Sequence, residues 1–137
     1  MERSRRRDQG FTLVELMVVI VIVALMAAIA VPLYTNYIKD ARRSEAAGGL
    51  AAVATAQQTY YQRNNTYAAA LASLNVDLTD LGANWTFGAP TVTAGPPLKF
   101  TEVATGKAAT PYAGLTVTMS YTLGGAKTLV DENGKTM

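Results

Sequence analysis

The reactive inventory of this chain is short. It holds no cysteine and no histidine. That excludes a thiol nucleophile, a thiolate metal site, a disulfide framework and the commonest general base and zinc ligand. Ser, Thr, Lys, Tyr and ten carboxylates remain, and no reactive constellation of them is visible, so the residues point away from an enzyme. Two acidic features stand out. Glu15 is the one ionisable residue in an apolar run from Phe11 to Val31. A carboxylate in such a span costs about 2.5–3.5 kcal/mol at a central position and less near an end, and by default it marks a functional site. Asp131-Glu132-Asn133-Gly134 gathers oxygen donors, but its ligand spacing for calcium is incomplete and the sequence is ordinary turn chemistry. Asp77 and Asp80 are weaker still, so neither a metal nor a cofactor is expected. Phe11, Tyr34, Tyr37, Tyr60 and Tyr61 invite an electron-transport reading, yet their spacing is also that of a helix packing against lipid, neighbours and a sheet.

The element that must position Glu15 is a helix. Phe11 to Val31 is twenty-one residues, about 31 Å as an α-helix, against a hydrocarbon core of about 30 Å. A lone strand could not pair its backbone in lipid, so the many Val and Ile residues do not argue against a helix. Arg3, Arg5, Arg6 and Arg7 precede the span, and Lys39, Arg42 and Arg43 follow it. The first, denser cluster places the N-terminus in the cytoplasm and the bulk of the chain outside. Beyond residue 10 the chain carries eight basic and eight acidic residues, so its net charge of +2 lies entirely in the first ten. A basic nucleic-acid surface is therefore not implied for the rest. Two disposable-signal readings compete with a retained helix: a secretory signal cut near Ala28-Ile29-Ala30, and a twin-arginine signal beginning Ser4-Arg5-Arg6. Neither has a use for Glu15, and the retained helix is favoured.

Gly10-Phe11-Thr12-Leu13-Val14-Glu15-Leu16 resembles the prepilin cleavage and assembly motif of type IV pilins and of the related secretion-system pseudopilins. The likeness runs from the basic leader through Pro32 and continues in Tyr34-Thr35-Asn36-Tyr37, Ala41-Arg42 and Glu45-Ala46. It implies that a prepilin peptidase cuts after Gly10 and methylates the new amino group of Phe11. It implies a subunit that waits in the inner membrane and is then drawn by a pilus assembly platform into a helical homo-oligomeric filament. Residue chemistry agrees. Gly10 lets a protease approach the backbone closely. Glu15 lies one turn beyond Phe11 on the same face, where it can pair with the Phe11 amine of a neighbouring subunit. The alternative is a Glu15 that snorkels to the headgroups.

Pro32 interrupts the helix signal, but Tyr34, Tyr37, Ile38 and Ala41 resume it, so a kinked continuous helix is expected there. Where many pilins carry a glycine before this proline, this chain has Ala24, Ala27, Ala28 and Ala30. Ala46, Leu50, Val53, Ala54, Gln57 and Tyr61 share one face of the 33–63 segment, with Gly48, Ala52, Thr55, Thr59 and Arg63 opposite. From Phe11 to Arg63 this helix measures about 80 Å. Gly48-Gly49 is a candidate bend. Asn64-Asn65-Thr66 ends the helix, 68–74 reads as a short helix and 75–84 as loop. Leu115, Val117, Met119, Tyr121 and Leu123 alternate with hydroxyl residues, a half-buried strand. Gly124-Gly125 signals a two-residue hairpin to Lys127-Thr128-Leu129-Val130. Trp85-Thr86-Phe87 and Leu98-Lys99-Phe100-Thr101 are further strands.

The expected fold is α+β, the pilin fold: a long kinked N-terminal helix packed on a roughly four-stranded antiparallel sheet. The organisation is a leader over 1–10, a helix over 11–63 whose 11–31 part spans the membrane or forms the filament core, and a globular head over 64–137. Without cysteine the C-terminal region must be held by something other than the disulfide common in pilins. The expected function is a structural pilus subunit, with adhesion, motility or DNA uptake as roles and no direct nucleic-acid contact. The alternatives are a type II secretion pseudopilin, a minor pilin and, from another class, a membrane-anchored binding module or enzyme.

Overall fold

The computed structural model describes residues 10–137. The expected leader's Arg3, Arg5, Arg6 and Arg7 lie outside the described residues. Helix α1 covers Leu13–Asn64. Two 3-10 turns follow at Leu71–Ser73 and Leu81–Ala83. The strands are β1 (Trp85–Phe87), β2 (Thr91–Thr93), β3 (Lys99–Gly106), β4 (Thr116–Thr122) and β5 (Lys127–Asp131). The chain divides into two units, one ending at Tyr37 and one comprising Ile38–Met137, and α1 contributes residues to both.

In the first unit α1 runs through Pro32 without a break. Proline has no N–H for the carbonyl of Ala28, and Thr35 Oγ1 donates to the carbonyl of Pro32 at 3.0 Å. Every residue from Gly10 to Tyr37 is exposed, including eighteen consecutive positions with a mean hydropathy of 3.1.

The second unit has a core. α1 buries Arg43, Ala46, Gly49, Leu50, Val53, Ala54 and Gln57, a stripe at intervals of one helical turn. Ala46, Leu50 and Ala54 pack with Trp85, Phe100, Ala104, Leu115, Val117 and Met119, the inward residues of the sheet. The opposite face, Gly48, Ala52, Thr55, Thr59 and Arg63, is exposed as its spacing predicts. Gln57 is fully buried and ties the following connection to the helix. Its Nε2 donates to the carbonyl of Ala68, and its Oε1 accepts the N–H of Ala68, both at 2.8 Å. Since both backbone groups of Ala68 are spent on Gln57, the short helix expected over 68–74 shrinks to the single turn Leu71–Ser73.

The antiparallel sheet has five strands in the order β1-β3-β4-β5, with β2 beside β1 on the same side of β3. The fifth strand arises because one edge strand is broken. Phe87 pairs with Ala104 and Thr91 with Thr101, so Gly88, Ala89 and Pro90 face only Glu102 and Val103. Pro90 lacks the ladder donor, and prolines in sheets sit at such bulges. The strand expected at 98–101 runs on to Gly106. An ideal Cβ on Gly106 would lie 1.8 Å from the carbonyl oxygen of Tyr112, so only glycine fits beneath that loop. The two-residue hairpin expected at Gly124-Gly125 is instead a four-residue connection between Thr122 and Lys127. Leu123 N–H is committed to the carbonyl of Leu98 at 2.8 Å, and the turn closes through Gly125 N–H to Thr122 at 2.8 Å.

The two adjacent helix glycines differ. A Cβ at Gly48 meets nothing within 4 Å, whereas one at Gly49 would sit 2.6 Å from Phe87 Cζ and 2.7 Å from Leu81 Cδ1. Gly49 is thus a close approach of helix to sheet rather than a bend. Overpacking costs about 1–3 kcal/mol, against a helix-propensity gain of about 1 kcal/mol for alanine. Thermal melts should show Gly48→Ala stabilising and Gly49→Ala destabilising by about 1 kcal/mol; equal responses would contradict this packing.

Candidate functional site

The N-terminal motif folds into a helix start with a specific cap. Thr12 precedes the first helical residue, and Glu15 is the third residue of α1. Thr12 Oγ1 accepts the N–H of Glu15 at 3.2 Å. Glu15 Oε2 accepts the N–H of Thr12 at 3.2 Å and its hydroxyl at 3.1 Å. This reciprocal arrangement is a capping box, which satisfies two otherwise orphaned donors of the helix start. The Thr-x-x-Glu spacing signals it in sequence, and an account of Glu15 as an intermolecular partner alone overlooks it. Phe11, one residue before the cap, is 89% exposed, and Gly10 beside it is exposed too, with nothing among the described residues within 4 Å of where a Cβ would stand. The structure therefore brings Gly10, Phe11 and Glu15 together at one end of α1, while Pro32 lies five turns along the helix. With Leu16 and Val19, Phe11 and Glu15 line an open apolar depression.

The second constellation closes the C-terminal region, and the sequence reading assigned Arg43 only to the charge flanking the span. Arg43 is buried on the core stripe of α1. Its Nη1 pairs with Asp40 Oδ1 at 2.5 Å. Its Nε donates to Glu132 Oε2 at 3.1 Å and lies 3.9 Å from Asp131 Oδ2. Its Nη2 also donates to Glu132. Asp131 Oδ1 in turn accepts the N–H groups of Asn133 and Lys135 at 2.9 and 2.8 Å. The Lys135 N–H leads in holding the Asp131 carboxyl below its usual range. The Arg43 hydrogen bond leads in doing the same for Glu132, and Glu132 in turn raises the Arg43 guanidinium. Asp131-Glu132-Asn133-Gly134 is thus a turn whose oxygens serve its own backbone and Arg43. The neighbouring Arg42 fastens a different loop: it lies 5.2 Å from the ring centroid of Tyr112 and donates to the carbonyl of Pro111. The phase of Arg43 with Ala46 and Leu50, and Asp40 one turn before it, are the signals that point to this clasp.

The aromatics of the second unit pack. Tyr61, Tyr67, Phe100 and Tyr121 form a contiguous group, with Tyr67 4.9 Å from Phe100 and 5.3 Å from Tyr61.

Residues 5–31 match the family profile described as "Prokaryotic N-terminal methylation motif". Residues 32–113, more than half of the chain, match the profile described as "Type IV minor pilin ComP, DNA uptake sequence receptor". The chain belongs to the type IV pilins. Among curated relatives, this pilin is 38% identical over 65 residues to the Type IV major pilin protein PilA of Myxococcus xanthus (strain DK1622), covering 47% of this chain and 30% of the relative. It is 50% identical over 49 residues to the Type IV major alpha-pilin of Moraxella bovis, covering 36% and 31%. It is 39% identical over 64 residues to the Type II secretion system core protein G of Pseudomonas aeruginosa, covering 47% and 45%. The matched part of the chain spans under a third of the first two relatives. No solved structure matches the chain.

Proposed function

We propose that this pilin is a structural, non-enzymatic subunit of a type IV pilus, organised as a leader over 1–10, a helix over 11–63 and a head over 64–137. The observation that carries this reading is the first unit of α1: every residue from Gly10 to Tyr37 is exposed, although the segment is among the most apolar in the chain. Exposed apolar area of this extent needs a lipid or protein partner. A bilayer supplies it before assembly, and the same segments of neighbouring subunits supply it in the filament. Prepilin peptidase cuts after Gly10 and methylates Phe11, and an assembly platform draws the subunit from the inner membrane into an extracellular filament. Glu15 sets register by pairing with the amine of a neighbour's Phe11, and Pro32 kinks the helix.

Filaments sheared from cells and sequenced at the N-terminus are expected to begin with methylated Phe11. An N-terminus at Val31 would overturn the reading. The similarity to a secretion-system core protein favours the pseudopilin as a second reading, and recovery only from short periplasmic assemblies would support it. The profile named for a DNA uptake receptor favours a role in DNA uptake. A gel shift of the full chain in detergent with duplex DNA tests direct contact, which the balanced charge beyond residue 10 argues against.

A further inference from the structure

Glu102 sits on the core face of β3, between the inward residues Phe100 and Ala104 and opposite Met119 of β4. It is 1% exposed, and among the described residues neither carboxyl oxygen has a hydrogen-bond partner. Charged and titratable groups do reach this core from the surrounding elements. α1 brings Arg43, engaged by Asp40, Asp131 and Glu132, and Tyr61. Tyr67 from the connection and Tyr121 from β4 pack around Phe100, and Tyr112 packs on Trp85. β5 brings Asp131, and β1 and β2 bring no titratable side chain. None of these bonds Glu102. An unpartnered buried carboxylate is costly, so the group is held as the neutral acid. Burial alone pushes its pKa up to about 7.

The position of Glu102 in the sheet gives this chemistry a mechanical outlet. On the β4 side its strand is paired continuously from Lys99 to Thr105. On the other side pairing skips from Ala104↔Phe87 to Thr101↔Thr91, and the backbone of Glu102 lies opposite the bulge at Gly88–Pro90. There the Gly88 N–H to Val103 carbonyl bond of 2.9 Å bridges the gap. We propose that Glu102 is a proton-gated latch on this bulged edge: the buried site accepts the neutral acid and β1 and β2 stay docked, whereas loss of its proton to solvent sends the carboxylate out through the bulge. The edge strand then loosens while β3, β4 and β5 stay paired.

The sign follows from linkage. The closed form holds the proton up to about pH 7, and an opened Glu102 releases it near 4.5. The opening equilibrium therefore rises by about 30-fold between pH 5.5 and 8.5. Hydrogen exchange of the full chain in detergent micelles, corrected for intrinsic exchange rates, reads this directly over residues 85–93. The wild type should show that rise, and Glu102→Gln, which carries no titratable group there, should abolish it. A rise that persists in Glu102→Gln, or a wild-type edge indifferent to pH, overturns the proposal. Should Glu102→Gln fail to fold, carbon-detected NMR titration of the wild-type carboxyl decides instead. A midpoint near 7, with exchange over residues 85–93 levelling off at the same pH, supports the latch; a midpoint near 4.5, or edge exchange that does not follow the carboxyl, defeats it.

Discussion

Glu15→Ala is expected to lower filament yield by at least about tenfold while leaving cleavage after Gly10 and membrane insertion intact. Removing one partner of a buried ion pair costs about 3–5 kcal/mol, and each 1.4 kcal/mol is tenfold in an equilibrium. The structure adds a complication, because Glu15 also caps its own helix through Thr12. A lost cap costs only about 0.5–2 kcal/mol, but it too disturbs the helix start. Glu15→Gln separates the two roles, since glutamine completes a capping box equally well and carries no charge. If register depends on pairing with a neighbour's amine, Glu15→Gln assembles nearly as poorly as Glu15→Ala. Normal filaments from Glu15→Gln, seen by electron microscopy of sheared material, would show that the cap alone matters.

Arg43→Met is expected to destabilise the Ile38–Met137 unit by about 2 kcal/mol. Hydrogen bonds to charged groups contribute about 1.5–3 kcal/mol each, and solvent at the half-open Glu132 reduces their sum. A loss of this size lowers the melting temperature by about 10 °C for a unit of this length. Methionine keeps most of the side-chain volume, so the effect reports the lost guanidinium. The pH dependence gives a second check. Asp131 and Glu132 are more acidic folded than unfolded. Their contribution is therefore complete above the ordinary carboxylate value of about 4 and is lost as pH falls through the lower folded value. Glu102 has the opposite sign: its contribution is complete below 4.5 and is lost as pH rises to about 7. The wild-type melting curve should peak between these limits. Arg43→Met should flatten only the acid limb, and a variant with the wild-type acid limb would remove Arg43 from this role.

The parts of the molecule that were legible in sequence are those with a simple period or a dense local motif. The stripe Ala46, Leu50, Val53, Ala54, Gln57 and Tyr61 repeats at helical spacing, and all but the half-buried Tyr61 are fully on the core. Of the alternating Leu115, Val117, Met119, Tyr121 and Leu123, the first three are buried and Tyr121 is half-buried, while Leu123 is exposed where the strand gives way to the turn. The run from Phe11 to Val31 needed only its length and its single acid. What escaped depends on residues far apart in the chain. Arg43 meets Glu132 across 89 positions, and no local pattern encodes that distance. Glu102 occupies an inward position of β3 that alternation reserves for an apolar side chain, so a polar letter there reads as surface. β2 is three residues long and set between prolines, too short for a period to declare itself. The four-residue hairpin was missed because Leu123 is claimed by Leu98, a contact outside the turn.

Neither border of the sheet offers a long open strand. Along β5 the chain's own last residues fold back: Lys135 accepts from Asp131 N–H at 3.0 Å, Thr136 bridges Val130, and Met137 N–H donates to Leu129 at 3.0 Å. The other border is two fragments of three residues, split by the bulge and by Pro90. Short, interrupted or covered borders are how proteins keep crowded sheets from zipping together into fibrous aggregates. In the pilus proposed above, many copies of this unit would stand at high local density. On that proposal cohesion between the copies falls to the apolar helices, and an ordered polymer forms without the cross-strand polymer that a bare sheet would invite.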